Sequence, residues 1–113
     1  MAKRRGESPT ISRGSTNVFE DLGYPDAAER QAKLRLAYAV NQAVEHRGLT
    51  QTAAATLLGL SQPKVSALKN YKLAGFSVER LMTLLNALGQ DVEIVIKDKP
   101  RSRQSARIKV VAA

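Results

Sequence analysis

At 113 residues without a cysteine, the chain has the length of one domain with a modest core and excludes disulfides and thiolate metal sites. No apolar run approaches the roughly 20 residues of a membrane-spanning helix, and the basic start lacks the apolar run of a signal peptide, so a reducing cytoplasm is the expected compartment. The formal charge of +8 is carried by the two ends, because residues 14–96 hold eight basic and eight acidic side chains.

Residues 1–15 contain Gly6, Pro9, Gly14 and several Ser and Thr, the composition of an arm with no core of its own. Lys3, Arg4, Arg5 and Arg13 against Glu7 give its first 13 residues +3, which suits a polyanion such as nucleic-acid phosphate. The segment 17–25, NVFEDLGYP, is different. Val18, Phe19, Leu22 and Tyr24 offer apolar surface that either docks on the folded body or binds a partner.

The helical domain is expected over residues 16–89. A long helix runs from Asp26, a capping residue, to Arg47, with Leu36, Ala37, Val40, Ala43 and Val44 on one stripe and Gly48 as its stop. Thr50 caps a short alanine-rich helix to Leu58, and Gly59 can take the left-handed conformation that ends it. Ser61 caps the next helix, Gln62 to Tyr71, with Pro63 in the first turn, where a missing N–H costs nothing. Residues 73–76 form a loop turning at Gly75. Ser77 then caps a fourth helix, Val78–Leu88, with Val78, Leu81, Met82, Leu85 and Leu88 on one face and Gly89 at its end. The lone His46 belongs to a surface helix end, and Met82 to the core.

After Gly89 the period changes. Asp91–Lys97 is rich in β-branched residues that partly alternate, and Arg107–Val111 repeats the pattern, so residues 90–113 read as one or two strands. Lys97, Lys99, Arg101, Arg103, Arg107 and Lys109 against Asp98 give residues 97–113 a charge of +5. A lone strand leaves its backbone groups unpaired. It must pair within a long-looped hairpin, with a second copy, or with both in a dimer sheet.

Two short helices joined by a tight turn, with polar residues on the outer face of the second, describe a helix-turn-helix. Residues 49–71 resemble that motif of the Xre/Cro family of phage-type and bacterial repressors. Gln51 stands at the start of the first helix, Ala55 where the helices cross, Gly59 at the turn, and Val65 and Leu68 where the second helix packs back on the first. The resemblance implies a mainly α, lambda-repressor-like bundle of four to five helices followed by a C-terminal β-strand or hairpin. It puts Gln62 at the first base-reading position and Asn70 at a phosphate contact. Pro63 is less usual at its position.

The physical reading runs beside this. The N-terminal residues of a recognition helix meet base edges in the major groove. Gln62 can pair with adenine N6 and N7, Lys64 can reach guanine O6 and N7, and Ser66 can touch base or phosphate. Lys69, Asn70 and Lys72 lie further along, toward the DNA backbone. Gln51 would bond a phosphate and fix Gln62. Ser61 is a cap with or without DNA. Between Gly59 and Gly75 there are three lysines and no acid.

A second resemblance covers nearly the whole chain. The order NVFEDLGYPDA, long helix, GLTQ, LGLSQPKVS, FSVERLMTLLNALG and DVEIVIK is similar to a subgroup of HigA-type antitoxins. That implies a homodimer on a palindromic operator, repressing its own promoter, and a small basic RelE/HigB-like ribonuclease toxin as partner. Two other readings stay open: a solitary Xre-type regulator, and an interaction module that retains the repressor fold. No Gly-rich phosphate loop, metal-ligand spacing or Ser/His/Asp grouping points to an enzyme, and no cofactor or metal is expected.

Overall fold

The computed structural model describes residues 27–112, so Asp26, the arm and the segment 17–25 lie outside the described residues. Four helices form among them: α1 (Ala27–His46), α2 (Gln51–Leu58), α3 (Gln62–Lys69) and α4 (Val78–Ala87). The described residues divide into two compact units, one of residues 33–94 with 110–112, the other of residues 27–32 with 95–109.

The larger unit holds the core. From α1 it takes Leu36, Ala37, Val40 and Ala43; from α2 Ala54, Ala55 and Leu58; from α3 Val65 and Leu68; from α4 Leu81, Leu84 and Leu85, followed by Leu88. Phe76 joins them from the loop before α4. The small side chains Ala54 and Ala55 let α2 pack against both α3 and α4. Val44, Val78 and Met82, expected in the core, are half-buried at its margin. Leu84, absent from the expected stripe, is among the most deeply buried side chains.

Three side-chain caps start helices as expected. Thr50 Oγ1 accepts from Ala53 N at 3.1 Å, Ser61 Oγ from Lys64 N at 3.3 Å, and Ser77 Oγ from Arg80 N at 2.9 Å. The C-terminal ends share one device. The amide five residues on reaches back to a last-turn carbonyl: Leu49 to Val44, Leu60 to Ala55, Lys72 to Ala67 and Gln90 to Leu85, at 2.8–3.1 Å. Each closure needs a left-handed residue just before the donor, and Gly48, Gly59, Tyr71 and Gly89 occupy it, with φ of 65°, 68°, 59° and 80°. This stops α3 at Lys69, two residues earlier than the sequence suggests, with Asn70 as its cap.

Two long-range bonds tie α1 and the residue that follows it to the ends of other helices. Asn41 Nδ2 donates to Leu68 O at 3.1 Å, and Arg47 Nη1 donates to Leu88 O at 3.1 Å. Arg47 thus brings a cation to the negative end of α4.

Among the described residues there is no strand. The β-branched runs expected as strands over 91–97 and 107–111 lie without a ladder partner in the single chain, although Val92 and Val110 pack against the core. Ile94, Val95, Ile96, Ile108 and Val111 are 63–92% exposed. In the smaller unit a turn forms where Arg103 N donates to Pro100 O at 3.2 Å, Lys99 Nζ to Arg103 O at 2.9 Å and Arg103 Nη1 to Ser105 O at 3.0 Å.

Candidate nucleic-acid interface

At about 100° per residue, positions i, i+4 and i+7 of a helix share a stripe. On α3 these are Gln62, Ser66 and Lys69. Gln62 and Lys69 are exposed and Ser66 is half-buried, while Val65 and Leu68 fix the helix to the core. The stripe runs beside the packed side, with Lys69 about 40° from Val65, and its orientation is set by two buried anchors.

Gln62 is the first residue of α3, directly after the Ser61 cap. Its Nε2 donates to Thr52 Oγ1 at 3.2 Å. The two helices of the motif are thus joined at the mouth of their turn by an exposed side-chain bond. Sequence reasoning expected Gln51 to hold Gln62; the structure gives that contact to Thr52, one residue on. With its amide nitrogen engaged, Gln62 keeps its carbonyl oxygen and one remaining N–H for other partners.

Lys64 departs further from its expected direction. It lies about 200° around the helix from Gln62, and its Nζ donates to Gly75 O at 2.9 Å while sitting 4.8 Å from the centre of the Phe76 ring. A Cβ on residue 75 would come within 2.6 Å of that ammonium, so the bare glycine is what lets the lysine in. Lys64 therefore clips the loop after α3 to the helix, with a cation–π contact to a buried ring as support.

The other candidates separate cleanly. Ser61 is used by its cap, and Asn70 Nδ2 donates to Ser66 O at 2.9 Å. Gln51, Lys69 and Lys72 are exposed and make no side-chain hydrogen bond among the described residues. Gln51 and Lys69 line one cavity of about 420 Å3 bounded by α1, α2 and α3, whose floor includes Leu58, Val65 and Leu68. Besides Thr52, two residues not expected in the site take part in its geometry: Asn41, whose Nδ2 donates to Leu68 O, and Tyr71, read from the sequence only as the last helical residue, whose left-handed backbone closes the end of α3. Neither has a local signal, since each acts through a partner or a backbone angle set by the fold.

The comparisons with known proteins support the helix-turn-helix motif as a whole. The helix-turn-helix domain family matches residues 18–97. A solved structure described as "Putative XRE Family Transcriptional Regulator" is 73% identical, with a TM-score of 0.75, and the alignment covers 79% of this chain and 100% of that one. No curated protein matches the sequence.

Proposed function

This chain belongs to the helix-turn-helix domain family, in its XRE-type form, and on that premise we propose that it is a sequence-specific DNA-binding transcriptional repressor. The observation that carries the reading is the α3 stripe: Gln62, held by Thr52 at the head of a short helix, with Ser66 and Lys69 behind it on the same face. In the major groove Gln62 contacts an adenine edge and Ser66 a neighbouring base or phosphate. Gln51, Lys69, Asn70 and Lys72 flank them on the sugar–phosphate backbone. Lys64, engaged with Gly75, supports the loop rather than reading guanine.

The repressor acts as a homodimer on a palindromic operator, with the β-branched segments 92–96 and 108–111, exposed except at Val92 and Val110, pairing between copies. Their exposure supports this, because a second copy supplies the missing ladder. Its finer form is an antitoxin that represses its own promoter and binds a RelE/HigB-like ribonuclease, a role supported by the order of segments from NVFEDLGYP to DVEIVIK.

The DNA upstream of its own gene is the direct test. Footprinting is expected to show two protected half-sites about one helical turn apart, with affinity falling steeply as salt rises. Equal affinity for this DNA and for unrelated duplexes would defeat the repressor reading. For the antitoxin form, co-expression with a small ribonuclease encoded beside it should yield a co-purifying, inactive complex; a ribonuclease that stays active and separate removes that form alone.

A further inference from the structure

The four helix ends are built alike, yet only three use glycine. Gly48, Gly59 and Gly89 take the left-handed residue after α1, α2 and α4; after α3 the same place is filled by Tyr71, at φ 59°. It is the one non-glycine residue with positive φ among the described residues. A bulky side chain is an outlier in this region, since its Cβ crowds the following carbonyl. Tyr71 is 40% exposed, so part of its side chain stays open to solvent. Its hydroxyl has no partner among the described residues, whereas the Tyr38 hydroxyl accepts from Gln42 Nε2 at 2.6 Å. The strained residue follows the reading helix directly, between Asn70 and Lys72. It shares the rim of one cavity with Gln51 and Lys69, two of the four residues proposed for the DNA backbone, and with Glu45, the acid of that rim.

We infer that Tyr71 is a DNA-backbone contact, held in an unfavourable backbone conformation so that its phenol donates a hydrogen bond to a phosphate oxygen beside those met by Gln51 and Lys69. The inference rests on the DNA-binding reading and extends it by one residue. Strain persists at a position when the side chain serves a site, and tyrosine is among the neutral donors that position proteins on phosphate. Such a contact carries no sequence information, so no operator is needed to observe it.

The experiment compares the full chain with Tyr71→Gly and Tyr71→Phe on a duplex of arbitrary sequence, about three helical turns long, at two salt concentrations, alongside thermal melting. Tyr71→Gly should melt several degrees higher, because strain is relieved, yet bind roughly 5- to 10-fold more weakly. Tyr71→Phe should melt like the parent and lose a similar factor. Neither should change the slope of affinity against salt, because a phenol releases no counterion, whereas Lys69→Ala should lower it. Opposite signs in stability and binding are not produced by a merely structural residue. If both Tyr71 variants bind as tightly as the parent, the inference falls while the repressor reading stands; if the parent chain binds no duplex, both fall.

Discussion

Gln62 and Thr52 act as a pair if the hydroxyl's task is to aim the amide. Gln62→Ala should cost on the order of 1–3 kcal/mol on the operator and relax discrimination there. Thr52→Val keeps the shape and removes the acceptor, and should cost about 0.5–1.5 kcal/mol of specific binding. In a double-mutant cycle, read by titrating operator against random duplex, the second change should add almost nothing to the first. Additive effects would mean that Thr52 touches DNA on its own account. Lys64 supports a second test. Gly75→Ala presses a methyl against the Nζ, the movable tip of a flexible chain, and no positive φ is at stake at that position. The variant should therefore fold with a penalty of at most about 1 kcal/mol, the worth of one partly exposed hydrogen bond. The freed ammonium should raise affinity for random DNA at low salt. The helical period alone brings Gln62, Ser66 and Lys69 together. The fate of Lys64 is invisible in sequence, because its partners, Gly75 and Phe76, lie three helical turns on and approach only once the loop is folded.

The same boundary between readable and unreadable runs through the helices. Thr50, Ser61 and Ser77 are legible as N-caps because a capping hydroxyl acts on an amide three residues away, within the sequence window that defines the helix. Gly48, Gly59 and Gly89 are legible as stops for a similar reason: glycine alone enters the left-handed region without cost. Where tyrosine does glycine's work, that signal is missing, and α3 reads two residues longer by pattern than it is in space. Leu84 falls outside the expected stripe because the apolar face of α4 is wider than that stripe; a helix covered by both α2 and the rest of the core buries more of its circumference. The glycine stops are not interchangeable with the loop glycine. Gly59→Ala meets no atom within 4 Å, so its penalty is purely conformational, about 1–2 kcal/mol. Urea unfolding should show that penalty, and a midpoint equal to that of the parent would mean the turn can rearrange without a left-handed residue.

For the molecule as a whole, charge and apolar exposure divide the work of binding. Residues 27–89, the helical body, hold eight basic and three acidic side chains, so attraction to a duplex would be shared between that body and the basic ends. Removing residues 1–13 takes away Lys3, Arg4, Arg5 and Arg13. It should weaken binding to operator and random DNA alike, lowering the salt slope by about 0.9 for each phosphate the arm had neutralised; an unchanged slope would take the arm off the DNA. The segments after Gly89 are legible as β-branched alternation yet form no strand in the single chain, because a ladder needs a second edge, and alternation specifies faces without specifying whose edge it is. Ile94 and Ile96, on one side of that alternation, are 74% and 92% exposed. Large aliphatic side chains so open to water are costly to leave uncovered and cheap to replace in a monomer. Ile94→Lys with Ile96→Lys should accordingly leave the melting of the helical body nearly unchanged, since neither side chain belongs to its core. If the segments pair between copies, sedimentation should show the variant as a monomer. Operator affinity should then fall by orders of magnitude while the weak binding to random duplex persists, because one reading helix remains but its distance to a second is no longer fixed. A variant that still sediments as a dimer places the interface elsewhere, and one that is monomeric like its parent yet binds the operator unimpaired removes the need for a paired reader.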